Sequence, residues 1–405
     1  MSLHKKAGQL LFGTFLAQSI TFITLPIITR YVSPTEYGKY TQTLFLVATL
    51  LPLATLRLEA LSVSVTDDKV AGQLAKLGLI SSVSLAVLVL PVLYVLSILF
   101  PVELGIGKYS ILITALALAS QSFALILNQF NLRKKRYTKI MQGSVLQNTT
   151  TSVLQVFNAV LNPVYEFLVI SFAAGRLSIL IVDTKKFSAI LKSKIDLETT
   201  KMLVQRFRKI SLILIFGAFI ETLVFSGINI FIGLKYGQNV AGYLGLALVI
   251  FAVPGTLIGS SFTSIIFSEY IPREKATLKV KKMIKTMILI SVTISVSIIF
   301  LFPPIANLFL SQDWSESSAL ISQLGVPIGI NILWVSCTSI MYKNEEFTKY
   351  LGFSTLRLLV STVVASVFFI AGNTWQSVVV AYFFSGAVVL LFPICVTYRY
   401  VLKDS

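Results

Sequence analysis

Arg57, Glu59, Arg176, Glu221 and Arg357 each fall inside an apolar stretch of about twenty residues. An ionised group in such a stretch is costly unless it has a partner or faces a wet cavity, so these five are the first candidates for chemistry. Arginine presents a planar fork of donors that matches phosphate oxygens, and three arginines suit a diphosphate better than a neutral ligand. Arg176 and Arg357 lie six and seven residues inside their stretches, about 9–10 Å deep by helical rise, and Arg57 lies at similar depth. The competing reading is snorkelling, in which the long stem carries the guanidinium to the headgroups. Arg57 and Glu59 are two residues apart, which puts them on different sides of a straight helix, so each should find another partner. Glu221 sits midway along its stretch, where it either pairs with an arginine or exchanges a proton or cation.

Uncharged polar residues form stripes at helical spacing. Thr14, Gln18 and Thr21 share one face, as do Gln147, Thr151, Gln155 and Asn158. Hydroxyls and amides suit sugars, although hydrogen bonding between helices is the ordinary use of such residues in membranes. Other chemistry is missing from the sequence. One histidine, His4, rules out a His-rich metal site, and no Walker-type glycine loop is present. The acidic pairs Asp67/Asp68 and Glu345/Glu346 fall in polar connections, where solvation is expected. No cofactor is expected, and coupling to a proton or sodium gradient is left open.

The elements that must position these residues are membrane spans. A helix needs roughly 20 apolar residues to cross the hydrocarbon core, and segments of that kind recur near 7–28, 39–65, 77–100, 109–130, 140–160 and 164–182. Six more lie near 210–232, 243–267, 283–305, 318–341, 350–370 and 375–398. Mean hydropathy is +0.84 and only 13% of residues are charged, which excludes a soluble enzyme. The fold class expected is an all-α integral membrane protein with twelve transmembrane helices in two six-helix lobes.

Basic residues fall in every second gap. With the N-terminus in the cytoplasm, 27 of the 34 Lys and Arg lie inside, and only Arg30, Lys39, Lys108 and Lys235 lie in outside loops. The positive-inside rule then puts both termini in the cytoplasm, and the net charge of +17 implies no nucleic-acid partner. His4, Lys5 and Lys6 before an apolar run could open a signal peptide, but the run continues to Ile28, longer than a usual h-region, so a retained first helix is expected. Cys337 and Cys395 indicate no disulfide framework.

The longest basic connection divides the chain into an N-lobe, 1–182, a linker, 183–209, and a C-lobe, 210–405. Gly38, Lys39 and Tyr40 open the second span as Gly242 and Tyr243 open the eighth, at an offset of 204, and Pro52 and Pro254 follow. Tyr137, Thr138 and Lys139 match Phe347, Thr348 and Lys349 at an offset of 210. The two offsets predict a duplication whose halves share one orientation, a transporter-type arrangement with substrate bound between lobes. In the linker, Phe187, Ile190, Leu191, Ile195, Leu203 and Phe207 among the basic residues fit either an amphipathic helix on the inner leaflet or a solvated tether.

Residues 7–80 and 130–160 resemble bacterial O-antigen (Wzx-type) polysaccharide repeat-unit flippases, in the superfamily that also holds the MATE exporters and the lipid II flippases. The resemblance is carried by Gly13 and Gln18, then Pro26, Arg30, Ser33, Pro34, Gly38 and Tyr40, then Leu56, Arg57, Leu58 and Glu59, then Asp67 and Asp68, with the basic turn from Arg133 to Lys139 before Gln147. It implies alternating access that moves an undecaprenyl-diphosphate-linked oligosaccharide between leaflets of the bacterial inner membrane, with other polysaccharide-assembly membrane proteins as further partners. Arg57, Arg176, Arg357, Arg30, Gln18 and Gln147 are then the substrate-binding candidates, with Glu221 and Glu59 as ion-coupling candidates. Leu58 stands where relatives often carry an aromatic residue, and twelve spans differ from the fourteen of the lipid II flippases.

Three other classes compete. A MATE-type drug/cation antiporter shares the fold, but a cationic drug should prefer carboxylates, and arginine outnumbers acid within these spans. A membrane glycan polymerase or ligase would need an extracytoplasmic catalytic loop, and the longest here, around Ala306 to Ser317, is short. The major-facilitator class has twelve helices too, yet the connection from Thr66 to Lys76 lacks its glycine- and arginine-rich signature.

Overall fold

The computed structural model describes residues 3–65, 67–99, 108–192, 197–269, 278–344 and 346–403. Side chains at Thr14, Ile195, Leu203, Phe207, Pro254 and Glu345 lie outside the described set. Helix is the only regular secondary structure among the described residues. The first compact unit, 1–222, contains α1 (Leu3–Tyr31), α2 (Pro34–Thr55), α3 (Leu58–Ser64), α4 (Asp68–Leu99), α5 (Lys108–Arg133), α6 (Tyr137–Leu161), α7 (Tyr165–Leu177) and α8 (Ile179–Lys192). The second, 223–405, contains α10 (Gln238–Glu269), α11 (Leu278–Phe300), α12 (Phe302–Phe309), α13 (Ser315–Gln323), α14 (Gly325–Lys343), α15 (Phe347–Ile370) and α16 (Trp375–Lys403). The boundary between units falls within α9 (Leu197–Tyr236).

Eight helical stretches among the described residues are long and apolar enough to cross a membrane, by length and composition. The polar residues of α6 explain why it is not one of them, since Gln147 to Ser152 runs through six consecutive polar side chains. Large apolar side chains cover the outside of the helices: Ile181, Leu289, Leu308 and Ile370 are all strongly exposed. Such a surface is stable only against lipid, and the chain is a multi-pass membrane protein.

Local chemistry sets several boundaries. Ser33 caps α2 by accepting the Glu36 N–H at 3.3 Å, and Pro34 occupies the first turn, where its missing donor costs nothing. Glu36 then reaches the N-terminus of α7, accepting the Tyr165 N–H at 2.9 Å, so one carboxylate serves two helix starts. In the first unit α1 packs along α6, α6 on α7, and α5 on α4 and α7. In the second, α14 packs on α10, α11 and α16, while α15 pairs with α16.

Four expected spans are interrupted or extended by structure the sequence did not announce. The second, 39–65, is not one straight helix, because Leu56 and Arg57 both take left-handed backbone conformations, φ 51° and 54°, and separate α2 from α3. The sixth, 164–182, divides at Ser178 into α7 and α8, and the tenth, 318–341, divides at Leu324 into α13 and α14. Around the ninth, the connection from Ala306 to Ser317, expected as an outside loop, is largely helical, formed by α12 and a 3-10 turn at Gln312–Trp314. The basic connection after the sixth span is also helical in its described parts. Phe187 and Ile190 of α8 pack with Ala75, Leu79, Ile126 and Leu127, so this end of it belongs to the first unit's core.

Candidate functional site

Arg176 and Gln147 come together. Gln147 lies on α6 with its side chain buried, and Arg176 near the end of α7 donates from Nη1 to Gln147 Oε1 at 3.0 Å. The guanidinium carbon lies 4.7 Å from the centre of the Phe172 ring, one turn earlier on the same helix, where the aromatic face favours the cation. Close approach of the two helices is what permits this bridge, and Gly175 provides it, since a Cβ there would collide with Thr151. Arg176 Nε and Gln147 Nε2 remain buried without a hydrogen-bond acceptor. The site therefore offers two spare N–H donors and a positive charge, the chemistry that receives an oxyanion. Deeper along α6, Gln155 donates to the Tyr40 hydroxyl at 2.8 Å.

Arg57 and Glu59 also meet, which corrects the expectation that each finds another partner. Their separation by two residues would point them apart on a straight helix, but the left-handed turn at 56 and 57 redirects Arg57, and its Nη1 lies 3.3 Å from Glu59 Oε1. Glu59 is almost completely buried, while Arg57 keeps about a quarter of its side chain exposed. Neighbouring helices take up the carbonyls that the break releases: Ser81 of α4 donates to the Ala54 carbonyl, and Ser211 of α9 donates to the Leu56 carbonyl at 2.8 Å.

In the second unit Arg357 is buried on α15, with its guanidinium carbon 5.6 Å from the centre of the Phe225 ring. Phe225 belongs to an aromatic group with Phe251 and Phe383. Arg30 is exposed in the last turn of α1, Gln18 is half-buried on the same helix, and Glu221 is half-buried on α9.

The polar stripes turn mostly into bridges between helices. Thr21 donates to Asn148 Oδ1 at 3.4 Å, Thr24 to Ser152 Oγ at 3.4 Å, and Asn158 to Ser171 Oγ at 2.9 Å. Asp68 is also more than a solvated acid. Arg133 and Lys134 both pair with it, and Arg133 donates to the carbonyls of Ser62 and Val65, tying the α3–α4 connection to the end of α5. Phe172 and Phe225 were not singled out by sequence; for Phe172 the signal was available, because it precedes Arg176 by one helical turn.

The family model described as polysaccharide biosynthesis protein matches residues 27–319 of this sequence. The chain belongs to that family. The match takes in α2 through α12, and so includes both the Arg57–Glu59 break and the Arg176–Gln147 bridge of this polysaccharide biosynthesis protein. No curated protein sequence matches it. Among solved structures, a MOP-superfamily transporter from Pyrococcus furiosus is similar over 100% of this chain and 98% of its own, with 17% identity and a TM-score of 0.68. A MATE transporter from Vibrio cholerae is similar over 100% and 97%, with 13% identity and a TM-score of 0.67. An outward-facing multidrug-resistance MATE transporter is similar over 100% and 97%, with 16% identity and a TM-score of 0.66. At these identities the likeness is one of fold, and this family member has the MATE-like fold.

Proposed function

We propose that the protein is a flippase of alternating-access type, moving an undecaprenyl-diphosphate-linked oligosaccharide from the cytoplasmic to the periplasmic leaflet of a bacterial inner membrane. The observation that carries this reading is the oxyanion-receiving group of Arg176 and Gln147 inside the helical bundle of a polysaccharide biosynthesis family member. A diphosphate headgroup supplies oxygens for such donors, and the polar side chains of α6 fit a sugar-bearing cargo. The neighbours named as multidrug-resistance transporters share the fold, but a cationic drug would meet guanidinium groups at Arg57, Arg176 and Arg357.

In this reading the chain has twelve spans with both termini cytoplasmic, arranged as lobes 1–182 and 210–405 with 183–209 between them. Arg57, Arg176, Arg357, Arg30, Gln18 and Gln147 contact cargo. Glu221 and Glu59 serve proton or sodium coupling, and the product feeds O-antigen or a related surface polysaccharide. A chromosomal deletion tests it. Lipid-linked repeat units should accumulate on the cytoplasmic leaflet while surface polymer falls. Repeat units that remain fully accessible from the periplasm, with only their polymerisation or ligation stopped, would overturn the flippase reading in favour of an enzyme.

A further inference from the structure

The repeat visible in the sequence at an offset of 210 residues extends to the helices. Arg133 and Lys343 end α5 and α14, Tyr137 and Phe347 start α6 and α15, and Tyr165 and Trp375 start α7 and α16, each pair 210 apart. The first turn between them repeats to the hydrogen bond. Arg136 N–H donates to the Asn131 carbonyl at 2.9 Å, and Glu346 N–H donates to the Met341 carbonyl at 2.9 Å. At the same offset Gln147 corresponds to Arg357, and Arg176 to Gly386.

These corresponding residues are the ones in contact in each half. In the first, Arg176 of α7 reaches across to Gln147 of α6. In the second, Arg357 stands on α15, and a Cβ placed on Gly386 of α16 would lie only 3.4 Å from Arg357 Cγ. The same helix pair thus carries one guanidinium in each half, supplied from opposite members.

Packing explains the exchange. In the second half Gly386 itself makes the close approach, where a Cβ would lie 2.6 Å from Ser361 Oγ and 3.4 Å from Arg357 Cγ, so a side chain at 386 would have to displace the serine hydroxyl and would crowd the arginine. In the first half the close approach falls one residue earlier, at Gly175 against Thr151, and this leaves position 176 able to carry one. Thr151 and Ser361 are themselves 210 apart. Each guanidinium also has an aromatic ring beneath it, Phe172 or Phe225. The hydrogen bond to Gln147 is not what recurs, because Gly386 offers no side-chain acceptor. What recurs is a single positive charge at the crossing.

We infer that Arg176 and Arg357 are duplicated copies of one oxyanion-binding locus, one in each half, each receiving a phosphate or carboxylate oxygen. The ligand is indicated by the first copy, where Gln147 is 2% exposed and its Nε2 and Arg176 Nε are buried donors without acceptors. The identity of the cargo rests on the flippase reading; the locus does not.

The full-length protein in lipid nanodiscs, titrated calorimetrically with inorganic pyrophosphate and separately with glucuronate, tests the inference. Arg176→Gln and Arg357→Gln should each weaken the binding that wild type shows by about ten-fold or more, the loss expected for a charge-assisted hydrogen bond. The exchange variant, Gln147→Arg with Arg176→Gly, copies the second half into the first and should bind within about three-fold of wild type if the locus is as described. A response to pyrophosphate identifies a diphosphate group as the source of the oxyanion, and a response to glucuronate alone identifies an acidic sugar. Unchanged binding in either single variant, or no binding of either probe by wild type, overturns the inference. So does an exchange variant that keeps the wild-type melting temperature yet binds as weakly as Arg176→Gln. If the exchange variant does not fold, the two single variants decide: equal losses support a duplicated locus and a loss in only one refutes it. Normal periplasmic exposure of repeat units in the deletion strain, alongside these binding losses, would end the flippase reading and leave the locus standing.

Discussion

Arg57 and Glu59 show how much a buried carboxylate depends on its neighbour. Glu59 has almost no solvent, and Arg57 is the ion-pair partner the structure gives it. Removing one member of a buried pair strands the other, at about 3–5 kcal/mol for a fully buried case and less here because Arg57 is partly exposed. Arg57→Ala should therefore destabilise the protein by about 2 kcal/mol, and the double variant Arg57→Ala/Glu59→Gln should regain part of that loss. Denaturant unfolding in a mild detergent measures both; equal stabilities for single and double variants would show that the two charges are not coupled. Glu221 raises a separate question. Glu221→Gln should lower transport and flatten its dependence on a proton or sodium gradient while membrane insertion stays normal, and reconstituted vesicles with imposed gradients provide that measurement.

At the scale of elements, the helices were legible in the sequence and their interruptions were not. Apolar stretches and polar gaps mark where helices lie, although the second span was expected from residue 39 and the helix starts at Pro34, capped by Ser33. The break at Leu56 and Arg57 has no glycine or proline at the two left-handed positions. It is held instead by hydroxyls distant in sequence, Ser81 and Ser211, whose contribution depends on tertiary packing. For the same reason the Arg57–Glu59 pair could not be read from spacing, whereas the Gln147 and Arg176 candidates could be named but not joined. A left-handed conformation costs a non-glycine residue about 1–2 kcal/mol. Leu56→Gly should consequently stabilise the protein by about 0.5–1 kcal/mol after the added chain entropy is counted, raising its thermal midpoint in detergent. Ser211→Ala should act in the opposite direction by about 1 kcal/mol, because the Leu56 carbonyl loses its donor. A lower midpoint for Leu56→Gly would mean that the leucine side chain contributes more than the backbone strain removes.

For the whole molecule, the distribution of basic residues makes a claim that neither fold nor family supplies. The four arginines and lysines expected outside, Arg30, Lys39, Lys108 and Lys235, contrast with the cluster from Arg133 to Lys139, which is expected inside. The end of α5 and the turn after it are tied to Asp68 at the start of α4, so these helix ends should share one side of the membrane. Insertion follows the side that retains the larger number of Lys and Arg in short connections. Alkaline phosphatase fused after Lys403 should accordingly be inactive, and a cytoplasmic reporter at the same place active, with the reverse result for fusions at Lys108 and Lys235. Single cysteines introduced at Lys135 and Lys235, in a background lacking Cys337 and Cys395, extend the measurement to the intact chain. A membrane-impermeant maleimide should label position 235 and leave 135 unlabelled in whole cells from which the outer permeability barrier has been removed. Labelling of 135 instead would invert the protein in the membrane, and export from the cytoplasmic leaflet would have to be argued from the opposite set of helix ends.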